Sequence, residues 1–450
     1  MALAGMLLLA ALLPLVPYPT LSGPGVGPFL ASFTAAGLAY LLALKRLAFE
    51  NPSKRLLWGF ALAFRLVLLV TPVTLSDDVY RYIWDGHLLR VGQNPYAEPV
   101  NSPQLDIYDT PLRARVNFSW MATPYLPAAQ AYFAGVEQIA PQNPFAFQLG
   151  ALALDLAAGW LVMHLLPRLR IPHKAALVYL WNPLVVVEFA HGAHIDALMI
   201  FFVLAALWGL LHGGRGALAL SALALAAGVL VKGWPVLIAP LFVRRWGLWR
   251  VLLFGLGVVL PLAAFASGAG WGISGAADGR GVFGAVRIYS AAWEFNSGLY
   301  YWIAQLLTPA AARLIALAAP GLLGLAFGWQ VGRLGAGSHS DAAANDRSVV
   351  RWAALPFGLY LLLAPTVHPW YLTLVLALLP FYWPAQGEGP AIRRWIWPWV
   401  YFMFFEAFTY LAYSGVSAPA NLALIRTAGY LPLWGLLIWA GWSNRRSPSA

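Results

Sequence analysis

Long apolar segments recur from one end of the chain to the other, and they restrict its fold more than any other feature. A typical one is LLWGFALAFRLVLLV, residues 56–70, in which Arg65 is the only charged side chain. A helix satisfies its own backbone hydrogen bonds, so about 20 such residues cross a bilayer. Only 10% of the residues are charged, too few to cover the surface of a soluble protein. The sequence therefore predicts an all-α polytopic membrane protein with about 11–14 transmembrane helices.

Basic residues are distributed unevenly among the loops that join these segments. They cluster in alternate loops, as in Lys45, Arg46, Lys54 and Arg55, or Arg393 and Arg394. By the positive-inside rule these loops are cytoplasmic, which places both termini in the cytoplasm. The formal charge of +11 thus sets orientation, and nucleic acid is not an expected partner. We expect an integral protein of the bacterial inner membrane, surrounded by membrane lipids.

The predicted spans leave three long connections within a single domain of residues 1–450. Residues 76–145 form a first large external loop, and residues 267–308 form a second. Residues 331–349 read as a cytoplasmic connector, rich in Gly, Ser and Ala. No segment is large enough for a soluble nucleotide-binding domain, so any chemistry is expected at the external face.

Two adjacent carboxylates, Asp77 and Asp78, follow directly after an apolar segment, in TLSDDVYRYIWDGHLLRVGQNPY. Ser76 is a suitable N-cap for a helix that begins there, and the spacing of apolar residues predicts an amphipathic helix at the outer interface. One interpretation is that the aspartates only start this helix and pair with Arg81. The other is a catalytic site, because Asp78, Arg81 and Asp85 share one helix face.

The segment SDDVYRYIWDGHLLRVGQNPY resembles the first external loop of the GT-C superfamily of polytopic glycosyltransferases. It is most similar to bacterial mannosyltransferases that use polyprenyl-phosphate sugars. TPYLPAAQ and HGAHIDALM resemble two further motifs, with Leu126 and Ile195 in place of the usual proline and asparagine. LVKGWPVLIAPL, WEFNSGLYY and HPWYLTLVLALLP follow in the family's order.

The resemblance implies that an aspartate of the first external loop is the catalytic base, a place that Asp77 or Asp78 occupies. The base would deprotonate the acceptor hydroxyl while cations hold the leaving phosphate. We expect Asp77 to be the base, oriented by Arg81 and by either Asp78 or Asp85. Contacts to the acceptor or sugar are expected from Glu188, Glu294 and Asn296.

Several cationic and polar residues are candidates for binding the donor phosphate or sugar. Lys232 ends an apolar run, where a lysine is costly unless it meets a polar group or snorkels to the interface. The remaining candidates are Arg280, Arg287, His368, Tyr371, His191, His194 and Asp196. His191, His194 and Asp196 could also bind a divalent metal, but we favour a site without metal or other cofactor.

The expected function is transfer of a monosaccharide, with mannose as the first choice, from a polyprenyl-phosphate donor to a lipid or glycan acceptor of the cell envelope. Inversion at the anomeric carbon is expected, since the base acts on the face opposite the leaving group. The alternatives are a transporter or lipid flippase and a non-catalytic scaffold. A transporter would carry ionisable residues at the bilayer midplane and internal repeats, neither of which the sequence shows.

Overall fold

A computed structural model of the protein describes residues 1–273, 277–334, 342–414 and 419–445. It is 76% helical, and the described residues form no strand, only an isolated bridge between Phe295 and Thr366. The predicted all-α membrane fold is confirmed. Most of the glycine-rich part of the predicted cytoplasmic connector, residues 335–341, lies outside the described residues.

Eighteen α-helices lie in the described part of the chain. In order they are α1 (Ala2–Leu12), α2 (Val26–Arg46), α3 (Lys54–Leu69), α4 (Asp78–Arg90), α5 (Pro127–Ile139), α6 (Pro144–Arg168), α7 (Leu177–Leu180), α8 (Pro183–Val186), α9 (Asp196–His212), α10 (Arg215–Val231), α11 (Val243–Ala269), α12 (Gly284–Ala292), α13 (Leu299–Leu306), α14 (Pro309–Leu334), α15 (Ala342–Leu363), α16 (Thr373–Leu378), α17 (Ile396–Phe408) and α18 (Pro419–Arg445).

Among the described helices, four are long and apolar enough to cross a membrane: Gly23–Arg46, Pro144–Arg168, Val243–Ala269 and Pro309–Arg333. A fifth span results if the bent pair Pro183–His191 and Asp196–His212 counts as one. Three further predicted spans correspond to shorter apolar helices, Ala2–Leu15, Arg215–Val231 and Pro369–Tyr382.

The long helix α11 shows how these spans meet lipid. Leu252, Leu256, Val259 and Leu260 are all exposed, and their spacing places them on one face of the helix. A continuous exposed leucine and valine stripe is unfavourable in water but matches a hydrocarbon environment. The helix is therefore built to face lipid along this stripe.

The chain forms two compact units. The first contains Met1–Leu75, Leu156–His191 and Phe295–Ala450, and the second contains Ser76–Asp155 and Gly192–Glu294. In the second unit, Gly213 and Gly214 form the turn between α9 and α10, and both have positive φ angles of 68° and 78° that glycine tolerates. Ser221 of α10 donates to the Ala206 carbonyl and accepts from Trp246 Nε1, which joins α9, α10 and α11.

Helix α4 is packed on nearly all sides within the second unit, although the sequence predicted an amphipathic helix at the outer interface. Tyr80, Tyr82 and Trp84 are each at most 5% exposed. Tyr82 stacks on Phe133 of α5 with ring centroids 4.6 Å apart. The period of α4 did not reveal this burial, because its polar face is covered by a distant loop segment rather than by water.

In the first unit, the guanidinium of Arg65 on α3 lies inside an apolar segment and donates hydrogen bonds to backbone carbonyls. Its Nη1 donates to the Ala61 carbonyl at 3.0 Å and to the Leu180 carbonyl at 2.8 Å. Leu180 ends the short helix α7, and the carbonyls at a helix end lack intrahelical partners. Arg65 therefore satisfies a backbone group that the broken helix would otherwise leave without a donor.

Candidate active site

The two aspartates at the start of α4 are held together by one amide. Asn117 Nδ2 donates to Asp77 Oδ1 at 2.8 Å and to Asp78 Oδ1 at 2.9 Å. All three residues belong to the second unit. Two carboxylates that share one donor lie close enough to repel each other.

The aspartates do more than start the helix. Asp77 is the N-cap residue, yet its side chain makes no capping hydrogen bond. Ser76 Oγ instead accepts from the backbone N–H of Asp78 at 3.3 Å. The expected pairing with Arg81 is also replaced, because its guanidinium donates to backbone carbonyls. The interpretation in which the pair only caps α4 therefore loses its main contacts.

Asp78 lies in an environment that favours its protonated form. Its side chain is only 19% exposed, and its Oδ2 is 3.8 Å from Nδ1 of the buried His194. Burial raises the pKa of Asp78 to about 6, and repulsion by Asp77 adds to the rise. Lys232 and the hydrogen bond from Asn117 act in the opposite direction. Asp78 can thus accept a proton near neutral pH more readily than an ordinary aspartate.

Lys232 meets a partner inside the protein. Its Nζ donates to Asp196 Oδ2 at 2.7 Å, and the lysine side chain is only 14% exposed. This ion pair replaces the snorkelling that an apolar run would otherwise require. Lys232 and Asp196 both influence Asp78 electrostatically, and His194 lies beside Asp78. These four residues form one polar cluster.

A loop segment, residues 113–121, lies along α4 and positions Asn117. Arg81 is 2% exposed, and its guanidinium donates to the carbonyls of Asn117, Phe118 and Met121 at 2.8–3.2 Å. Arg115 lies over the Tyr80 ring at 3.9 Å. Arg81 therefore orients the catalytic candidates indirectly, through the backbone of this segment.

Asp85 lies one helical turn after Arg81 on α4, and its environment differs from that of Asp78. Thr123 Oγ1 donates to Asp85 Oδ2, and Gln130 Nε2 donates to the same oxygen at 3.0 Å. Thr123 and Gln130 are the first and last residues of the TPYLPAAQ motif. Burial raises the pKa of Asp85 to about 6, an effect that Arg81 opposes. Asp85 thus anchors that motif to α4, and Leu126 serves as the N-cap position of α5.

Two further predicted residues share the second unit. Arg287 lies on α12 and is half-buried, and Glu294 is exposed two residues after the end of that helix. Arg280, before α12, pairs with Glu98 at 2.9 Å and Asp278 at 2.8 Å. The ion pair between Arg280 and Glu98 joins the second predicted external loop to the first within the unit.

The remaining predicted residues belong to the first unit. Tyr410 Oη donates to both carboxylate oxygens of Glu188, at 2.9 and 3.0 Å. Asn296 Nδ2 donates to Glu406 Oε1 at 2.8 Å, and Tyr430 Oη donates to the Asn296 carbonyl. Glu188 and Asn296 thus take part in buried hydrogen-bond networks of that unit.

His191 and His368 are also in the first unit. His191 Nδ1 lies 2.8 Å from Thr71 Oγ1, and its Nε2 accepts from the backbone N–H of Thr74 and Leu75 at 3.4 Å. The His368 ring stacks on Trp370 at 4.6 Å and meets Tyr371 edge-on at 5.2 Å. His191, His368 and Tyr371 therefore belong to a different unit from the aspartate pair.

The cluster also contains a residue that the sequence analysis missed. Asn117 lies in an irregular segment with no period or motif around it, so no local signal marks it. Thr123 and Gln130 lie at the two ends of a recognisable motif. The sequence did not indicate that both would donate to Asp85. No group of three or more His, Cys, Asp or Glu side chains in the described ranges is placed to hold a metal ion. The preference for a metal-free site stays a prediction.

An all-α membrane fold that brings paired carboxylates close to a cation is compatible with a membrane glycosyltransferase. The chain matches the MptA_B family, alpha-(1→6)-mannopyranosyltransferase, N-terminal domain, over residues 8–247, more than half of its length, and it belongs to that family. No curated protein gives a significant match. The resemblance to GT-C mannosyltransferases is confirmed, and the matched region contains the whole cluster around Asp78.

Proposed function

We propose that this protein transfers mannose from a polyprenyl-phosphate donor to a hydroxyl of a lipid or glycan acceptor at the external membrane face. The observation that carries the proposal is the aspartate pair held by Asn117 beside the Asp196–Lys232 ion pair. It brings carboxylates and a cation together, which the displacement of a phosphate by a hydroxyl requires.

In the proposed reaction, a carboxylate of the pair takes the acceptor proton as the acceptor oxygen attacks the anomeric carbon. The bond from that carbon to the phosphate oxygen breaks, and polyprenyl phosphate leaves with the electron pair. Because the attack comes from the face opposite the leaving group, configuration inverts. The family name specifies an α-linked product, so the donor would be β-linked.

Two observations bear on which aspartate is the base. Asp77 is exposed and can be reached by an acceptor, in agreement with the sequence-based choice. Asp78 is less exposed, but its raised pKa makes it the stronger base. We favour Asp78 as the base and assign Asp77 the role of raising its pKa by repulsion.

Lys232 is the proposed contact for the leaving phosphate. Its ammonium supplies a positive charge that influences Asp78, and the hydrogen bond to Asp196 fixes its position. A lipid-linked donor fits an external site, because nucleotide sugars are made in the cytosol. The proposed orientation, with both termini cytoplasmic in the bacterial inner membrane, rests on the basic loops.

The test is mannose transfer by the purified protein in proteoliposomes. Labelled polyprenyl-phosphate mannose should give labelled α-linked product with an added mannan acceptor, and Lys232→Met should raise the KM for this donor. Labelled guanosine-diphosphate mannose serves as the comparison donor. Transfer only from the nucleotide sugar would overturn the proposed donor and external site, and movement of lipid-linked sugar without transfer would favour the flippase alternative.

A further inference from the structure

Four aromatic side chains of the second unit form a continuous stack outside the polar cluster. Trp293 is at its centre, 6.3 Å from Trp120 and 5.5 Å from Tyr289, both at an interplanar angle of 23°. Phe118 meets Trp293 edge-on at 4.8 Å. Phe118 and Trp120 remain 45% and 41% exposed, so the stack presents an open aromatic surface.

Phe118 reaches this surface through a backbone conformation that non-glycine residues rarely adopt. Its φ angle is +45°, in the left-handed region that a bulky residue rarely adopts. The hydrogen bonds from Arg81 to the carbonyls of Asn117 and Phe118 fix this conformation. The same segment therefore directs Asn117 to the aspartates and the next side chain to the aromatic stack.

The aromatic surface consequently adjoins the reacting groups. Asn117 and Phe118 are consecutive, and Asn117 donates to the exposed Asp77. Glu294, also exposed, directly follows Trp293, the residue at the centre of the stack. Rings with carboxylates beside them suit a ligand that has both apolar C–H faces and hydroxyl donors, as a pyranose has. Anionic lipid headgroups would instead be repelled by those carboxylates.

We propose that Phe118, Trp120, Tyr289 and Trp293 form a stacking platform that binds a pyranose ring of a glycan acceptor and presents its hydroxyl to the aspartate pair. This inference rests on the proposed function and narrows its acceptor from a lipid or glycan to a glycan. The C–H face of the sugar packs on the rings, and Asp77 and Glu294 accept hydrogen bonds from its hydroxyls.

The test compares Trp120→Ala and Trp293→Ala with a matched control, Trp271→Ala. Trp271 is 42% exposed and stacks on Phe283 at 6.1 Å in the same unit, but it is not part of the platform. The probe is α-(1→6)-linked mannotriose, and its binding to the purified protein is measured by titration calorimetry. Both platform variants should weaken binding by about tenfold or more, and the control should bind like wild type. Trp120→Phe, which keeps a ring, should recover most of the affinity.

Transfer kinetics provide a second measurement. The platform variants should raise the KM for mannotriose, while the KM for polyprenyl-phosphate mannose stays at the wild-type value. Unchanged mannotriose binding and KM in both variants would overturn the platform, even if the wild type transfers mannose as proposed. Equal losses in Trp271→Ala would also overturn it, because they would indicate a general effect of exposed tryptophans. If mannotriose binds as expected but no lipid-linked donor is used, the platform stands and the proposed donor fails.

Discussion

The side-chain amide of Asn117 links the two aspartates of the candidate site. Asn117 holds Asp77 and Asp78 at almost equal distances, so the carboxylates cannot separate to relieve their repulsion. Asp78 is the less exposed of the two, and the cost of ionisation falls on it. The division of labour between two chemically identical side chains therefore comes from their burial.

The first prediction concerns the identity of the base. Asp78→Asn keeps size and hydrogen-bonding capacity but cannot accept the proton, and it should lower kcat by about two to four orders of magnitude. Asp77→Asn should have a smaller effect on kcat, because it leaves the proposed base in place. Turnover per folded molecule, measured with thermal stability in detergent, is the readout. The reverse order of the two defects would make Asp77 the base, and near-normal turnover in both would reduce the pair to helix-start residues.

The second prediction concerns pH. The base must be deprotonated, so kcat/KM should fall as the pH drops through about 6, rather than near 4 as for an ordinary aspartate. Asp77→Asn removes the repulsion and should move this midpoint to lower pH. A midpoint that stays in place in Asp77→Asn would show that Asp77 does not influence the base.

The same pKa shift affects stability. Because folding raises the pKa of Asp78, protonation favours the folded state. This stabilisation is complete below the ordinary aspartate pKa and is lost as the pH rises through about 6. Asp78→Asn should therefore unfold at a higher temperature than wild type at pH 8 and show little difference at pH 4. A loss of thermal stability at pH 8 would contradict the assigned cause of the shift.

At the scale of elements, α4 is positioned by close contact with α5. Gly86 allows this approach, because a Cβ added there would lie 2.5 Å from the Phe133 carbonyl oxygen. That atom belongs to the backbone of a packed helix and cannot move aside cheaply. The start of α4, and the aspartates with it, depends on this fit.

The third prediction tests that fit with two glycines of the same helix pair. Gly86→Ala should destabilise the protein by about 1–3 kcal/mol, since overpacking forces the helices apart. Gly135→Ala on α5 is the matched control, because an added Cβ there meets no atom within 4 Å. It should be neutral or stabilise by up to about 1 kcal/mol, since alanine favours helix. Thermal unfolding in detergent measures both, and equal losses would mean that α4 and α5 do not pack this closely.

At the scale of the whole molecule, the basic loops predict an orientation that the proposed reaction needs. The proposed base and acceptor platform belong to a unit built largely from the predicted external loops. A lipid-linked donor and a glycan acceptor meet only on one side of the membrane. The proposed mechanism therefore depends on the predicted orientation of the chain in the membrane.

The fourth prediction tests the orientation directly. The chain contains no cysteine, so single cysteines can be introduced without a background. Gln104→Cys, in the first external loop, should react with an impermeant maleimide in intact cells. Asn51→Cys, in the basic loop between α2 and α3, should react only after permeabilisation. Both positions are exposed, so access alone decides the result. The opposite labelling pattern would invert the topology and exclude an external site.

The sequence by itself determined the features that depend on local composition and period. Apolar segments of sufficient length specify membrane helices, because the bilayer offers no partner to backbone groups. The carboxylate pair after such a segment, with Ser76 before it, indicated where α4 begins, and ordered motifs indicated the family. These signals are readable because each lies within a short stretch of chain.

Only the tertiary structure decided which distant residues meet. Asn117, Lys232 and the pair of His194 and Asp196 come from three different segments, and no local pattern links them to Asp78. Arg81 and Asp85 share a face with Asp78 on α4, yet they bond to the 113–121 segment and the TPYLPAAQ motif. Helical period fixes which face a side chain occupies but not what packs against that face. Long-range packing sets those partners, and with them the burial that raises the pKa of one aspartate of the pair.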